Sequence, residues 1–295
     1  MSEALIRSCA DRFSQLAQRF GVTLPDIAAD FDLFDLSDEA QRQQLVAAHG
    51  IHVGGVTAPN HLFLHKAAGP RPGLTVIDLK GANNVLAIGA QSGFQGRVIF
   101  YDDGNLAVLS GDQSHLGLEA HLMDASVLLC GRETFAWSIR VWAFGGAHCV
   151  IGDDCLFSEL TSIRTTDHHS LIDLASWRQT NFPADIVFER HVWVGQNTQI
   201  AKGVRIGAGA VVGQGSTVTR SIPACELWGG APARPIRKNI SWVRSHPAAA
   251  PDLEALRALL PAPRPELRPR FGRASLAALR FWRRSGKSEQ DNSHV

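Results

Sequence analysis

The sequence predicts an all-β core built as a parallel β-helix, with a helical N-terminal segment and a helical C-terminal extension. Three observations predict it. From Phe182 to Val218 seven large apolar residues recur at every sixth position: Phe182, Phe188, Val194, Ile200, Ile206, Val212 and Val218. Four positions after each stands a small or branched residue, at Ile186, Val192, Thr198, Val204, Ala210, Ser216 and Ile222. Glycine directly follows the large residue at Gly195, Gly207 and Gly213. A period of six matches neither a helix nor an alternating strand. It matches a coil of three short flat strands of about six residues each, stacked on identical coils. The large residue then points into a narrow prism, the small one fits beside it, and glycine permits the tight corner.

The remaining elements follow in chain order. Residues 1 to about 48 read as helical, because Leu5, Cys9, Phe13, Leu16 and Phe20 form an apolar stripe at helical spacing. Gly21 and Pro25 end that stripe, and Asp38 and Glu39 suit the first turn of a second helix packing through Leu36, Leu45 and Val46. Residues 49–72 are irregular and hold His49, His52, His61 and His65, without the cysteine or carboxylate spacing of a metal site. The first rungs are expected near Leu74. Ile88, Phe94, Phe100 and Leu106 are six apart, the frame resumes at Leu116, Leu122 and Leu128, and it runs again from Ile139 through Ile151, Phe157 and Ile163. The expected division is 1–73 as a mostly helical segment, 74–232 as the β-helix, and 233–295 as a closing loop, helices and a basic tail.

Composition sets bounds. A chain of 295 residues buries a sizeable core, and a net charge of +1 gives no field for nucleic acid. Five cysteines without a CxxC spacing read as free core thiols of a reducing compartment. The N-terminus lacks the pattern of a signal peptide, and no run of about 20 apolar residues suggests a span. A cytoplasmic location is expected.

The frame fails most informatively after Ile163. It calls for a small residue at 167 and an apolar one at 169, and the chain offers Asp167 and His169 within Thr165–Asp173. A local rule broken by a polar cluster is expected at a functional site.

The segment HVWVGQNTQIAKGVRIGAGAVVGQGSTVTRSIP, residues 191–223, followed by GGAPARPIRK, residues 229–238, resembles the hexapeptide-repeat acyltransferases. Their core is a left-handed β-helix. The resemblance covers roughly residues 76–240 and is closest to O-acetyltransferases of capsular and other surface polysaccharides. It implies acetyl transfer from acetyl-CoA to a sugar hydroxyl. That chemistry needs a base for the hydroxyl proton, donors for the oxyanion and alignment of two substrates.

The family's D-x-H-[PS] motif falls on Asp167-His168-His169-Ser170, with Ser170 in place of the commoner proline, and implies His169 as base. His168 is the rival. Asp167 or Asp173 would orient the imidazole. By the same resemblance Trp193 lies near the thioester. Gln196, Gln214, Thr219 and Arg220 border the CoA arm, and Arg234 and Arg237 of the GAPAR closing loop meet its phosphates. Ala231 replaces the asparagine usual in that loop.

The resemblance further implies a homotrimer with active sites between subunits, and no metal. Three other readings stay open: N-acetylation of an amino sugar, a γ-carbonic-anhydrase-like metalloenzyme drawing on His148, His168, His169 and His191, and a non-catalytic structural or binding β-helix. The basic segment around Leu276–Trp282 reads either as a docked helix or as a weak peripheral contact with an anionic membrane.

Overall fold

Six-residue walls need backbone that is flat and hydrogen-bonded to the coils above and below, and the structure supplies this. It is a computed structural model that describes residues 2–260, apart from Thr57, Arg71, Pro72 and Gln113. An eight-stranded sheet and a thirteen-stranded sheet wrap a single prism. Strand pairing along the prism is parallel, for example Val85 beside Leu106 and Leu106 beside Val127. The fold is a left-handed parallel β-helix with a helical N-terminus.

The spacing of paired residues explains where the six-residue frame holds. In the C-terminal coils Trp193 pairs with Val211 and Gln199 with Thr217, a step of 18, or three walls of six. In the N-terminal coils the step from Val85 to Leu106 is 21. There the strands Gly93–Phe100, His115–Leu122 and Phe135–Ala143 bend across two walls instead of breaking at a corner. A step of 21 is not a multiple of six, so the frame resets at each turn.

Alternation puts Ile88, Phe94, Phe100, Phe157 and Phe188 in the prism, all fully buried or nearly so. Phe188 meets Phe157 edge-on at 5.1 Å. Each such ring contributes about 1.5–3 kcal/mol by leaving water. The cysteines follow the same logic: Cys130, Cys149 and Cys155 are buried free thiols, and burial pushes Cys130 and Cys155 up to about 12.

The N-terminal segment has two jobs. Helix α1 (Ser2–Phe20) lays Cys9, Phe13 and Leu16 on the outer face of the eight-stranded sheet. That face is apolar for this reason: Val85, Ala87, Val108, Leu129 and Val150 point outward beneath the helix. Leu106 belongs to this outer cluster and not to the prism, contrary to the six-residue frame. Helix α2 (Glu39–His49) starts at Asp38, whose side chain accepts from the backbone N–H of Ala40 and Gln41, and ends at Gly50 in the left-handed region. Its Leu45 is fully buried in the prism core with Leu36, whereas Val46 is exposed.

Three further expectations need correction. Residues 31–35 form a strand antiparallel to His61–His65, not helix. The coils begin at Ile51–Gly54 and His61–His65, which pair in parallel with 75–78 and 85–88, so the boundary at 73/74 cuts through the solenoid. Phe182 is largely exposed, because the chain is still outside the coil there. At the other end Glu226–Gly229 and Arg234–Lys238 pair antiparallel and end the stack. Helix α3 (Ala250–Leu259) follows. The basic segment around Leu276–Trp282 lies outside the described residues. No helix among the described residues is long and apolar enough to cross a membrane.

Candidate active site

Trp193 sits mid-ladder, between Leu156 on one coil and Val211 on the next, with its neighbour Val194 turned inward. Strand alternation therefore sends the indole outward. It faces a cleft of about 660 Å³ whose lining includes Trp137, Gln196, Gln214, Leu227 and Trp242. Close approach of two coils shapes this cleft at Gly195. A Cβ there would stand 2.6 Å from the backbone nitrogen of Gln214. Gln196 donates through Nε2 to Glu159 Oε2 at 3.0 Å, and the Trp242 ring lies 6.1 Å from that of Trp193.

The polar loop leaves the coil after Thr161–Arg164 and returns at Ile186–Phe188. Its arm is a two-stranded hairpin in which Ile172–Asp173 pairs with Arg178–Gln179. Asn181 closes the arm's base. Its Nδ2 donates to Asp167 Oδ2 and to the His169 carbonyl, both at 2.8 Å, and its Oδ1 accepts from the Leu171 N–H at 2.6 Å. Lys202 pairs with the same Asp167 carboxylate. Lys202 first, then Asn181, holds that carboxyl below its ordinary value. Asp173 caps the hairpin turn, accepting from the N–H groups of Ala175 and Ser176 and from the Ser176 hydroxyl. The hydrogen bonds of both carboxylates thus anchor the arm rather than an imidazole.

The two histidines differ in setting. The ring of His168 packs edge-on against Phe144 at 4.9 Å, and burial, with the nearby charges of Arg164 and His169, lowers its pKa. His169 is exposed. The arm carries exposed Leu171 at its base and exposed Leu174 and Trp177 at its tip.

The structure brings Trp193, Gln196 and Gln214 into one cleft. Arg234 and Arg237 lie on the closing strand, opposite Gly229 and Leu227, at the cleft's C-terminal border. Thr219 and Arg220 are exposed just beyond Thr217–Val218, on another wall. His169 and Asp167 are not among the residues lining the cleft. Within one chain, arm and cleft are separate. Asn181, Lys202, Trp137 and Trp242 escaped the sequence reading. Only Trp242 carried a signal, as an indole just past the last repeat. Among the described residues no three His, Cys, Asp or Glu side chains gather as metal ligands.

The C-terminal coils are thus a solenoid of six-residue walls with an outward tryptophan, and a polar arm is extruded from the coil just before them. Residues 185–220 match the family model described as bacterial transferase hexapeptide (six repeats). Two similar proteins are polysialic acid O-acetyltransferases. That of Escherichia coli O1:K1 / APEC is 31% identical over 42% of this chain and 40% of its own length. That of Neisseria meningitidis is 30% identical over 44% of this chain and 60% of its own length. The chain thus spans about half the length of these curated relatives. Among solved structures, the polySia-specific acetyltransferase NeuO superposes with a TM-score of 0.64 at 26% identity, over 71% of this chain and 99% of that one.

Proposed function

We propose that this chain moves an acetyl group from acetyl-CoA to a hydroxyl of a sugar within a surface polysaccharide, with His169 as general base. One observation carries the reading: the repeats that match the transferase model build an open indole-lined cleft around Trp193, Gln196 and Gln214. The similarity to enzymes that O-acetylate polysialic acid supports the acceptor class. In this reading the pantetheine arm lies along the cleft, Arg234 and Arg237 meet its phosphates, and Trp193 positions the thioester. Neutral His169 takes the hydroxyl proton as the oxygen attacks the thioester carbonyl. The tetrahedral intermediate then collapses, the C–S bond breaks, and the imidazolium returns the proton to the departing CoA thiolate. No covalent enzyme intermediate is needed.

The separation of arm and cleft supports a homotrimer in which His169 of one copy serves Trp193 of the next. The exposed Leu171, Leu174 and Trp177 on the arm then find cover on the neighbouring copy. In this reading the reaction runs in the cytoplasm.

The test is thiol release from acetyl-CoA by purified protein offered a panel of sialylated and neutral oligosaccharides, with His169→Ala alongside. Acceptor-dependent release, lowered about 10²-fold or more in the variant, is expected for loss of a general base. Absence of CoA binding in a titration would overturn the donor assignment.

A further inference from the structure

The segment Ile240–Arg244 runs as a strap along one corner of the solenoid, touching successive coils. Ile240 donates through its N–H to the Cys225 carbonyl at 3.0 Å. The Ser241 hydroxyl donates to the Gly209 carbonyl at 2.8 Å. Trp242 stacks on His191 with rings 4.4 Å apart and 7° from parallel. Arg244 reaches Asp154 Oδ1 at 2.6 Å and the Glu133 carbonyl at 3.1 Å. The contacted residues Cys225, Gly209, His191, Asp154 and Glu133 all sit in the left-handed region, one per coil, so they form a single corner column. Glycine stands in this column at 209, where a Cβ would lie 2.7 Å from the Leu260 side chain and 3.0 Å from Ser241 Oγ.

His191 is the latch. It is buried, its Nδ1 lies 2.6 Å from Asp154 Oδ2, and its Nε2 lies 2.9 Å from the Trp242 carbonyl. A carbonyl only accepts, and an ionised carboxylate only accepts. Burial works to raise the Asp154 carboxyl, but the hydrogen bonds from His191 and Arg244 outweigh it and hold that group below its ordinary value, hence ionised. Each ring nitrogen therefore faces an oxygen, the Asp154 carboxylate on one side and the strap's own carbonyl on the other. The reciprocal bond from Trp242 Nε1 to the His191 carbonyl at 3.0 Å closes the joint.

The strap's other side faces the cleft. Ile240, Ser241 and Trp242 line it together with Gln196 and Gln214. We propose that this strap is the wall of the donor cleft, with Trp242 a donor-positioning residue held in place by His191 and Asp154. The inference rests on the donor reading above. An apolar wall two indoles deep, Trp193 and Trp242, suits the pantetheine arm rather than a polar acceptor sugar.

The test compares Trp242→Ala and Trp242→Phe with wild type, as full chains. It uses CoA titration calorimetry, the KM for acetyl-CoA, the KM for acceptor and kcat. The expected result for Trp242→Ala is a rise of about tenfold or more in CoA Kd and acetyl-CoA KM, with kcat at saturating donor and acceptor KM within about threefold. Trp242→Phe restores most of the affinity. Should Trp242→Ala not fold, His191→Gln, which keeps the Trp242 side chain but removes the ring it stacks on, is expected to raise CoA Kd severalfold and speed hydrogen exchange of residues 240–244. Unchanged CoA affinity in a folded Trp242→Ala, or a fall in kcat alone, overturns the proposal while the donor reading stands. No CoA binding by wild type overturns both.

Discussion

Replacing Asn181 by alanine should cut thiol release roughly 10- to 100-fold while leaving the solenoid intact. Among the described residues the side chain makes three hydrogen bonds, to Asp167, to the His169 carbonyl and from Leu171, and none of these is to the prism. Each is worth about 0.5–1.5 kcal/mol net. All three sites are exposed, so water takes over part of each bond and global stability should fall by no more than about 1 kcal/mol. The loss falls instead on the arm, whose ordered arrangement should give up about 1.5–3 kcal/mol. At about 1.4 kcal/mol per tenfold, the fraction of arms presenting His169 correctly drops roughly 10- to 100-fold, and kcat with it. Steady-state thiol release, a urea melt and hydrogen exchange at residues 167–171 read the three quantities separately. Activity within twofold of wild type would refute the reasoning. So would a loss of kcat that tracked a loss of global stability.

Three further outcomes follow from the same geometry. Phe188→Ala should destabilise the chain by about 3–5 kcal/mol in a denaturant melt, because its ring is fully buried against Phe157 and leaves a cavity. Gly195→Ala should cost about 1–3 kcal/mol, since its Cβ would meet the Gln214 backbone rather than a yielding side chain, and CoA affinity should fall as the two coils separate. Acid should release the arm late. Folding lowers the Asp167 pKa, so the stabilisation it gives is present above the ordinary carboxylate value and is lost as pH falls through the lowered one. Exchange protection at residues 167–171 should therefore persist from neutrality down into the ordinary carboxylate range and vanish only below it.

The C-terminal coils were legible because a step of 18 repeats the six-residue frame without remainder. The frame misled where that condition fails. Leu106 follows a step of 21 and points outward under α1. Phe182 keeps the spacing by coincidence while still outside the coil. Strands 51–54 and 61–65 were hidden by glycine, proline and histidine in a stretch whose strandedness comes from neighbours far along the chain. The polar loop announced itself by breaking the pattern. The partners of its carboxylates did not, because Lys202 reaches Asp167 from 35 positions away. The strap was equally invisible: His191 and Trp242 are 51 residues apart, and no local pattern joins them.

The most direct test of the central claim mixes two variants, His169→Ala and Trp193→Ala, each inactive alone. The account places His169 of one copy beside Trp193 of the next. Roughly three quarters of randomly mixed trimers then hold both variants, and each of these carries one intact site of three. Coexpression should restore about a quarter of wild-type thiol release by this counting. A mixture no more active than its two components would contradict a site shared between subunits.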